Sequence, residues 1–273
     1  MQIRNTKELV SGSNLRLAVL IYSLPGVGKT DWATDAPNPG ILACETGHGN
    51  GQLTSADKGV DFVEPSSFQD IVDFCSGKYF KDKQSLVVDS WSEVVKRYVK
   101  AMALQIPRAK GESEKRKQGI PELDDYMVMG ELTRKLLLTL LTNNPDKHII
   151  VTATEKYDKA GPDDPPGTES LIGPDLPGQM FLGAPAMFDF VLRMRTRPAL
   201  RDPKDAKSKY NERYFVTQPT GGIVAKCRAN KGGRTLLDLE EVVERKATPT
   251  DIDYKGSFNY LLHKVKEGYE IKS

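Results

Sequence analysis

Short apolar runs alternate with helically periodic stretches along the first half of the chain. Four runs predict strands, each ending in a small, polar or charged residue: LRLAVLIYS (15–23), ILACE (41–45), SLVVD (85–89) and HIIVTAT (148–154). Strands separated by helices favour a mostly parallel sheet with helices packed on it. Such sheets place their chemistry where the strands end, so we expect the functional residues there.

Helices are predicted in the gaps between these strands. The first begins at Lys29 and ends before Pro37, because proline has no backbone donor and restricts the residue before it. Three more helices are predicted at 67–75, 91–106 and 121–141. The last of these opens with proline at its first turn, which is a favoured position.

The last third of the chain has a different pattern. Segment 156–178 is rich in proline, glycine and aspartate, which predicts a long loop. Strands are predicted at 187–195, 213–220 and 223–229, and the Gly-Gly pair between the last two predicts a hairpin. A C-terminal helix is predicted at 256–267. We therefore expect an α/β fold with a mostly parallel twisted sheet and with antiparallel strands added in the C-terminal third.

Composition and length agree with a folded α/β protein. Of the 273 residues, 38% are hydrophobic and 28% are charged, which indicates a packed core and a well-solvated surface. We expect an N-terminal arm (1–14), a core (15–245) and a C-terminal helical tail (246–273). The net charge of +2 is close to neutral, so a surface for nucleic acid would be local.

The sequence favours a cytoplasmic protein. No apolar run reaches about 18 residues, so no membrane span is expected. The first 14 residues have no apolar core and do not resemble a signal peptide. Cys44, Cys75 and Cys227 form no C-x-x-C pair, which indicates neither a disulfide framework nor a cysteine zinc site.

A phosphate-binding loop is predicted directly after the first apolar run, where residues 22–30 read YSLPGVGKT. The pattern is G-x-x-x-x-G-K-[ST], and Ser23 stands where its first glycine is expected. That glycine mainly allows a tight turn, and serine is small enough to replace it. The loop residues predicted to bind ATP are Ser23, Pro25, Gly26, Val27, Gly28, Lys29 and Thr30. Backbone N–H groups and the lysine would bind phosphate, and the Thr30 hydroxyl would bind Mg²⁺. The alternative is a glycine turn with a solvated lysine.

Two carboxylates at strand ends complete the predicted site. Asp89 ends a buried strand and is the candidate magnesium carboxylate; alternatively, it caps the helix that follows. Glu45 is the candidate that polarises the water attacking the γ-phosphate. His48 is a second candidate for that role, although a lone histidine in a glycine-rich loop is more often a surface residue.

Together these motifs resemble the core of the RecA-type recombinases. The segments that carry the resemblance are PGVGKT, ILACETG, LVVDS and IIVTAT. The resemblance implies a RecA-like P-loop ATP hydrolase that uses ATP and Mg²⁺. It places Glu45 on the catalytic glutamate and Asp89 on the magnesium aspartate of that family. The chain departs from the family at Ser23 and at Thr152–Thr154, where RecA has a glutamine.

A later segment, GGIVAKCRANK (221–231), is similar to the part of RecA that carries two basic residues one position apart. In RecA filaments these residues reach the ATP of the neighbouring subunit, and Lys226 and Arg228 fall on that pattern. Cations arriving from a neighbour would stabilise the charge that develops on the transferring phosphate. The alternative is an exposed strand face, because positions 226 and 228 point the same way.

Within that family the chain looks like the short phage ATPases that work with single-strand annealing and recombination systems. The segment LPGQMFLGAPAMFDFVLRMR (176–195) carries this likeness, and the whole resemblance covers roughly 15–245. It implies a homo-oligomer, either ring or filament, that acts on single-stranded DNA in the cytoplasm of a bacterial host. A single-strand-binding protein is a further candidate partner.

The candidate DNA-binding residues follow the fourth predicted strand, since RecA-like proteins bind DNA along the loops there. Lys156, Tyr157 and Lys159 offer two cations and one aromatic platform, although Asp163, Asp164 and Asp175 oppose phosphate binding by the whole loop. The basic stretches 108–119 and 197–213 compete with them, but such runs are typical of solvated surface.

Two other function classes remain open from the sequence. One is an assembly or loader protein that uses ATP as a switch and binds a helicase or packaging component with little dependence on DNA. The near-neutral charge and the missing sensor glutamine favour it, while the Lys226 and Arg228 pattern opposes it. The other is a nucleotide kinase, for which the sequence shows no distinct acceptor-pocket or lid-arginine motif.

Overall fold

The computed structural model describes residues 15–45, 58–106, 120–159, 170–200, 207–231, 234–244 and 253–268. The strands in this part of the chain are β1 (Ala18–Ser23), β2 (Pro39–Ala43), β3 (Asp61–Val63), β4 (Ser85–Asp89), β5 (His148–Asp158), β6 (Leu171–Pro174), β7 (Phe190–Leu200), β8 (Lys209–Val216), β9 (Asn230–Lys231), β10 (Arg234–Thr235) and β11 (Glu240–Val243). The helices are α1 (Lys29–Ala33), α2 (Phe68–Cys75), α3 (Trp91–Glu93), α4 (Lys100–Gln105), α5 (Leu123–Asn143), α6 (Met180–Ala186) and α7 (Phe258–Gly268), and a π-helical segment, Val94–Val99, joins α3 to α4.

One nine-stranded sheet organises the fold, with the order β11-β8-β7-β1-β5-β4-β2-β3 and with β6 paired to β5. Strand β1 lies at its centre and runs parallel to both β5 and β7. Strand β5 separates β1 from β4, and β2 and β3 continue the parallel part. The antiparallel pairs are β7 with β8, β8 with β11 and β5 with β6. This confirms the mostly parallel sheet with antiparallel strands in the C-terminal third.

The core has two layers because successive residues of β1 face opposite sides of the sheet. Leu20 and Tyr22 pack in the layer that contains the buried side chains of α2, α3 and α5. Val19 and Ile21 pack in the other layer, which contains the buried side chains of α1 and α7. The helix at the phosphate loop therefore lies on the same side of the sheet as the C-terminal helix, which was predicted at 256–267.

The prediction of a long loop at 156–178 is wrong in part. Strand β5 continues to Asp158 and pairs with β6, so that Lys156 lies opposite Gly173 and Tyr157 opposite Ile172. Gly173 is required by close packing, since a Cβ there would lie 2.7 Å from the Phe181 ring. Residues 160–169 lie outside the described part of the chain.

The hairpin predicted between 213–220 and 223–229 is also wrong. Strand β8 pairs with β7 and β11, whereas the predicted strand at 223–229 is reduced to isolated bridges, in which Ile223 pairs with Thr220 and Ile172. The tight turn itself is present, with positive φ at Gly221 and Gly222 (51° and 74°). A glycine pair specifies a local reversal of the chain but not the strand that pairs beyond it.

Several expectations concern residues that lie outside the described ranges. These are the N-terminal arm (1–14), His48 and the basic stretch 108–119. The boundaries of the arm, core and tail therefore stay predictions. Among the described residues, none of the helices has the length and apolar character needed to cross a membrane.

Candidate nucleotide site

The loop between β1 and α1 has the backbone shape that its glycines predict. Gly26 and Gly28 adopt positive φ angles of 78° and 102°, a region that side chains disfavour. Ser23 is instead the last residue of β1 and is buried. Serine thus stands in place of the first glycine of the motif at a position where no left-handed backbone is needed.

Lys29 is held over this loop by oxygen atoms of the loop itself. Its amine donates to the Ser23 hydroxyl at 3.1 Å, and more weakly to the carbonyl oxygens of Ser23 and Leu24 at 3.4 and 3.3 Å. Only 7% of the residue is exposed. Burial lowers the pKa of Lys29, while the carboxylates of Asp89, Glu45 and Glu155 act in the opposite direction. The lysine is therefore a desolvated cation, suited to a phosphate group.

Thr30 and Asp89 meet at the ends of α1 and β4. The Thr30 hydroxyl donates to Asp89 Oδ2 at 2.7 Å, and Thr152 of β5 donates to Asp89 Oδ1 at 2.5 Å. The helix after Asp89 has Ser90 at its N-cap position, so the capping alternative for the Asp89 side chain is not what the geometry shows. A carboxylate beside a threonine hydroxyl is an oxygen donor set that fits Mg²⁺.

Glu45 lies two residues beyond the end of β2, next to the end of β4. The backbone N–H of Cys44 donates to the Asp89 carbonyl oxygen at 2.7 Å and fixes this proximity. The Glu45 side chain keeps access to solvent. Partial burial, followed by the Asp89 carboxylate, raises the pKa of Glu45, and Lys29 opposes the shift. A carboxylate with a raised pKa is a better proton acceptor than an ordinary surface glutamate.

Lys226 and Arg228 lie at the opposite edge of the sheet from these residues. Lys226 donates to the Ala186 carbonyl oxygen at 2.9 Å, and Arg228 donates to Asp189 Oδ1 at 2.8 Å. The other carboxylate oxygen of Asp189 accepts from the backbone N–H of Ala18, at the start of β1. Arg228 lies near the first residue of β1, roughly 17 Å from its last at about 3.3 Å per residue. The backbone of Lys226 bridges to Val191, opposite Leu20, about 10 Å from the end of β1, and its amine is directed to the segment before β7. The two cations are close together but do not reach the nucleotide site of their own chain.

Sequence reasoning missed a buried ion pair beside the phosphate loop. Arg193 of β7 donates to both carboxylate oxygens of Glu155, at 2.7 and 2.8 Å. Arg193 lies opposite Tyr22, and Glu155 directly follows the residue that lies opposite Ser23. The pair thus bridges the two neighbours of β1 at its carboxyl end. An arginine within the apolar run FVLRM was the available signal.

Arg213 of β8 is a second residue at the loop that sequence reasoning did not single out. Its Nη1 atom lies 2.9 Å from Asp31 Oδ2, in the first turn of α1. A Cβ placed on Gly28 would be 2.7 Å from the same nitrogen. The sequence showed Arg213 only as the end of the basic stretch 197–213.

The candidate DNA residues are only partly brought together. Lys156 and Tyr157 are neighbours in a strand, so their side chains face opposite sides of the β5–β6 hairpin. Tyr157 is 54% exposed and Lys159 is also exposed. Asp175 forms an ion pair with Lys96 at 2.7 Å, so part of the acidic charge near this hairpin is balanced.

The competing stretch 197–213 is tied into ion pairs where it is described. Arg197 pairs with both Glu212 and Glu240 at 2.8 Å, and Arg213 pairs with Asp31. These ion pairs neutralise the positive charge of Arg197 and Arg213 within the fold.

A comparison with protein families agrees with the geometry at the phosphate loop. A family model described as an AAA domain, AAA_24, matches residues 15–229. A KaiC-like protein from the hyperthermophilic archaeon Pyrococcus horikoshii OT3 has a similar structure, with a TM-score of 0.43, 15% identity and coverage of 92% of this chain and 95% of that chain. The RadB recombinase gives a TM-score of 0.38 and 14% identity, covering 81% of this chain and 95% of its own. No curated protein matches the sequence. The family model spans most of the chain, which therefore belongs to the AAA_24 family of AAA domains and is a P-loop ATPase.

Proposed function

We propose that this ATPase uses Mg-ATP, assembles with copies of itself and acts on single-stranded DNA in phage-type recombination, annealing or repair. The observation that carries the proposal is the position of Lys226 and Arg228 at the sheet edge opposite the phosphate loop. A lysine and an arginine at that edge are too far from the ATP of their own subunit, so they act on the ATP of a neighbour.

Hydrolysis is assigned to residues at the carboxyl ends of the parallel strands. Lys29 and the backbone N–H groups of the loop hold the phosphates, and Thr30 and Asp89 hold Mg²⁺. When bound, Mg²⁺ neutralises charge on the phosphate oxygens. Glu45 takes a proton from the water whose oxygen attacks the γ-phosphorus. The bond between the γ-phosphorus and the bridging oxygen then breaks, giving ADP and inorganic phosphate.

Contributions from the neighbouring subunit can be tested by mixing two inactive variants. Lys29→Ala removes the phosphate lysine, and Lys226→Ala removes the neighbour's cation. In an equimolar mixture about a quarter of the interfaces would join an intact phosphate loop to an intact Lys226, so part of the activity should return. Lys209→Ala is the matched control, because Lys209 is an exposed strand lysine and the variant should stay active alone. Mixtures that assemble but recover no hydrolysis would contradict action by a neighbour.

The DNA contact is assigned to the β5–β6 hairpin. Tyr157 supports this assignment, because it is an exposed aromatic side chain on the part of β5 that extends beyond the end of β1. Lys156 and Lys159 are next to it in the chain. Glu155 is the first residue of this extension and accepts from Arg193, so the hairpin is anchored beside the nucleotide site. A base can stack on the tyrosine while Lys159 binds phosphate on the same side, and Lys156 binds phosphate on the other side of the hairpin.

One observation favours the alternative of an ATP-switched assembly or loader protein. An apolar patch is exposed on α5, formed by Leu123, Tyr126 and Met127. A groove of about 320 Å³ runs along it, between α5 and the start of α6. Exposed apolar patches often mark sites for protein partners. This alternative predicts slow hydrolysis that responds neither to DNA nor to loss of Lys226.

A further inference from the structure

The two sides of the phosphate loop carry different groups. Thr30 and Asp89 lie on the side of β5 and β4, and the other side faces β7 and β8. Thr30 and Asp89 would hold a magnesium ion, which would neutralise charge on the terminal phosphates. The terminal phosphates would then lie on the Asp89 side, and the α-phosphate with the nucleoside would extend toward β8.

Arg213 is the cation that β8 presents at this place. It shares a strand face with Phe215, whose ring packs against Trp32 of α1 at 5.4 Å. The same alternation aims the guanidinium at the start of α1, where it pairs with Asp31 and covers Gly28. The side chain retains 21% exposure, so it is not sealed by the fold.

A cavity of about 760 Å³ opens beside the same arginine. Its described lining is Tyr210–Arg213 from β8 and Val242–Glu244 from β11 and the residue that follows. This volume is in the range of about 300–1,000 Å³ that is typical of small-molecule sites. Asn211 and Val243 share the strand face of Arg213 and offer an amide and an apolar surface to a nucleoside, whereas Glu212 faces the other side, where it pairs with Arg197.

We propose that Arg213 binds the α-phosphate end of the nucleotide within its own subunit and that this cavity receives the nucleoside. The inference rests on the phosphate loop assigned above. An arginine has a planar set of donors, so it can contact a phosphate oxygen while it keeps one bond to Asp31. Asp31 pairs with Arg213 when no nucleotide is bound, and it competes with the phosphate for the donors of the guanidinium.

The test is calorimetric titration with ADP, which contains the α-phosphate and is not hydrolysed. Arg213→Ala should raise the Kd for ADP on the order of tenfold, and Arg213→Lys should give a smaller rise because the charge remains. Arg197→Ala is the matched control, since Arg197 pairs with Glu212 on the opposite face of the same strands; it should leave the Kd within about twofold.

Asp31→Asn separates a ligand-binding arginine from a structural brace. If Arg213 binds the nucleotide, Asp31→Asn keeps the ADP affinity within about twofold or strengthens it, because the arginine stays in place. If Arg213 only braces α1, Asp31→Asn weakens binding as much as Arg213→Ala does, and the proposal is overturned. An unchanged Kd in Arg213→Ala also overturns it.

Thermal unfolding without ligand is measured for every variant. If Arg213→Ala lowers the Tm, its ADP affinity is not decisive, and Arg213→Lys is used instead, provided that its Tm is native. An unchanged ADP affinity of Arg213→Lys would then count against the proposal. Failure of the native chain to bind ADP would contradict the phosphate loop itself. If the native chain binds ADP and the Arg213 variants bind it equally well, only the role of the arginine is contradicted.

Discussion

Ser23 is the residue of the phosphate loop that departs from the expected motif, and its contacts explain why the departure is tolerated. Its backbone belongs to β1, while the left-handed backbone falls on Gly26 and Gly28. Its hydroxyl donates to the Leu24 carbonyl oxygen at 2.7 Å and accepts from Lys29 at 3.1 Å. A glycine has no hydroxyl to hold the lysine amine, so the serine adds a contact that the usual motif lacks.

Asp89 should determine how strongly magnesium helps the nucleotide to bind. Asp89→Asn keeps the size of the side chain and one of the two oxygens that accept from Thr30 and Thr152, but it replaces the other with an amide donor and removes the negative charge. We expect the ADP affinity without Mg²⁺ to stay within about threefold, and the gain on adding Mg²⁺ to fall on the order of tenfold or more. Titrations with and without Mg²⁺ measure both quantities.

Asp158→Asn is the control for this experiment, because Asp158 is an exposed aspartate at the end of β5. It should bind ADP like the native protein under both conditions. A magnesium gain that survives in Asp89→Asn would remove Asp89 from the metal site.

Three elements meet at His148, which makes their packing sensitive to pH. Nδ1 of this buried histidine accepts from the Leu17 N–H at 3.1 Å, just before β1, and the ring lies edge-on to Phe258 of α7 at 4.9 Å. Burial, followed by the positive charges of Arg16 and Lys266, lowers the pKa of His148 from 6.5 to about 4. The folded protein thus keeps the ring neutral at a pH where the unfolded chain protonates it.

Stability should therefore fall as the pH drops below about 6.5, because the unfolded chain then binds a proton that the folded protein rejects. Between pH 7.5 and 5 the contribution of His148 to the free energy of unfolding should decrease by about 2 kcal/mol. Urea unfolding at both pH values measures this change. His148→Asn should lose this part of the pH dependence, and His263→Asn, which removes an exposed histidine of α7, should keep it. Equal slopes in the two variants would contradict the assignment.

Single elements could be predicted from the sequence where burial is continuous. The run SLVVD is buried at all five positions, and β4 has the predicted bounds 85–89. Strand β5 continues past the predicted end at 154 into exposed residues, because its extension is held by β6 and not by the core. Local periodicity contains no information on a partner strand that lies a dozen residues away, so the extension and the pairing of β8 were missed.

Across the whole molecule, the sequence allows a candidate functional residue to be predicted when its motif lies in one short segment at the end of a strand. The phosphate loop with Lys29 and Thr30, together with Glu45 and Asp89, was predicted in this way; the fold brings these residues to one edge of the sheet, and their roles stay predictions. Arg193 and Arg213 were not identified, because each meets its carboxylate only after distant strands have come together. No spacing rule links such residues.

The position of Lys226 and Arg228 likewise required the fold. Their spacing alone allows either an exposed strand face or a contribution to a neighbour. Their bonds to the segment before β7 place them at the amino end of β1, away from the phosphate loop. In an assembly, this edge would have to lie against the carboxyl edge of the next subunit.

The most direct measurement is the rate of ATP hydrolysis across protein concentration, with and without single-stranded DNA, for the native chain, Lys226→Ala and the Lys209→Ala control. We expect DNA to stimulate hydrolysis, the stimulation to rise with protein concentration, and the effect to vanish in Lys226→Ala alone. A slow rate that responds neither to DNA nor to loss of Lys226 would contradict the recombination function and favour an ATP-switched assembly protein.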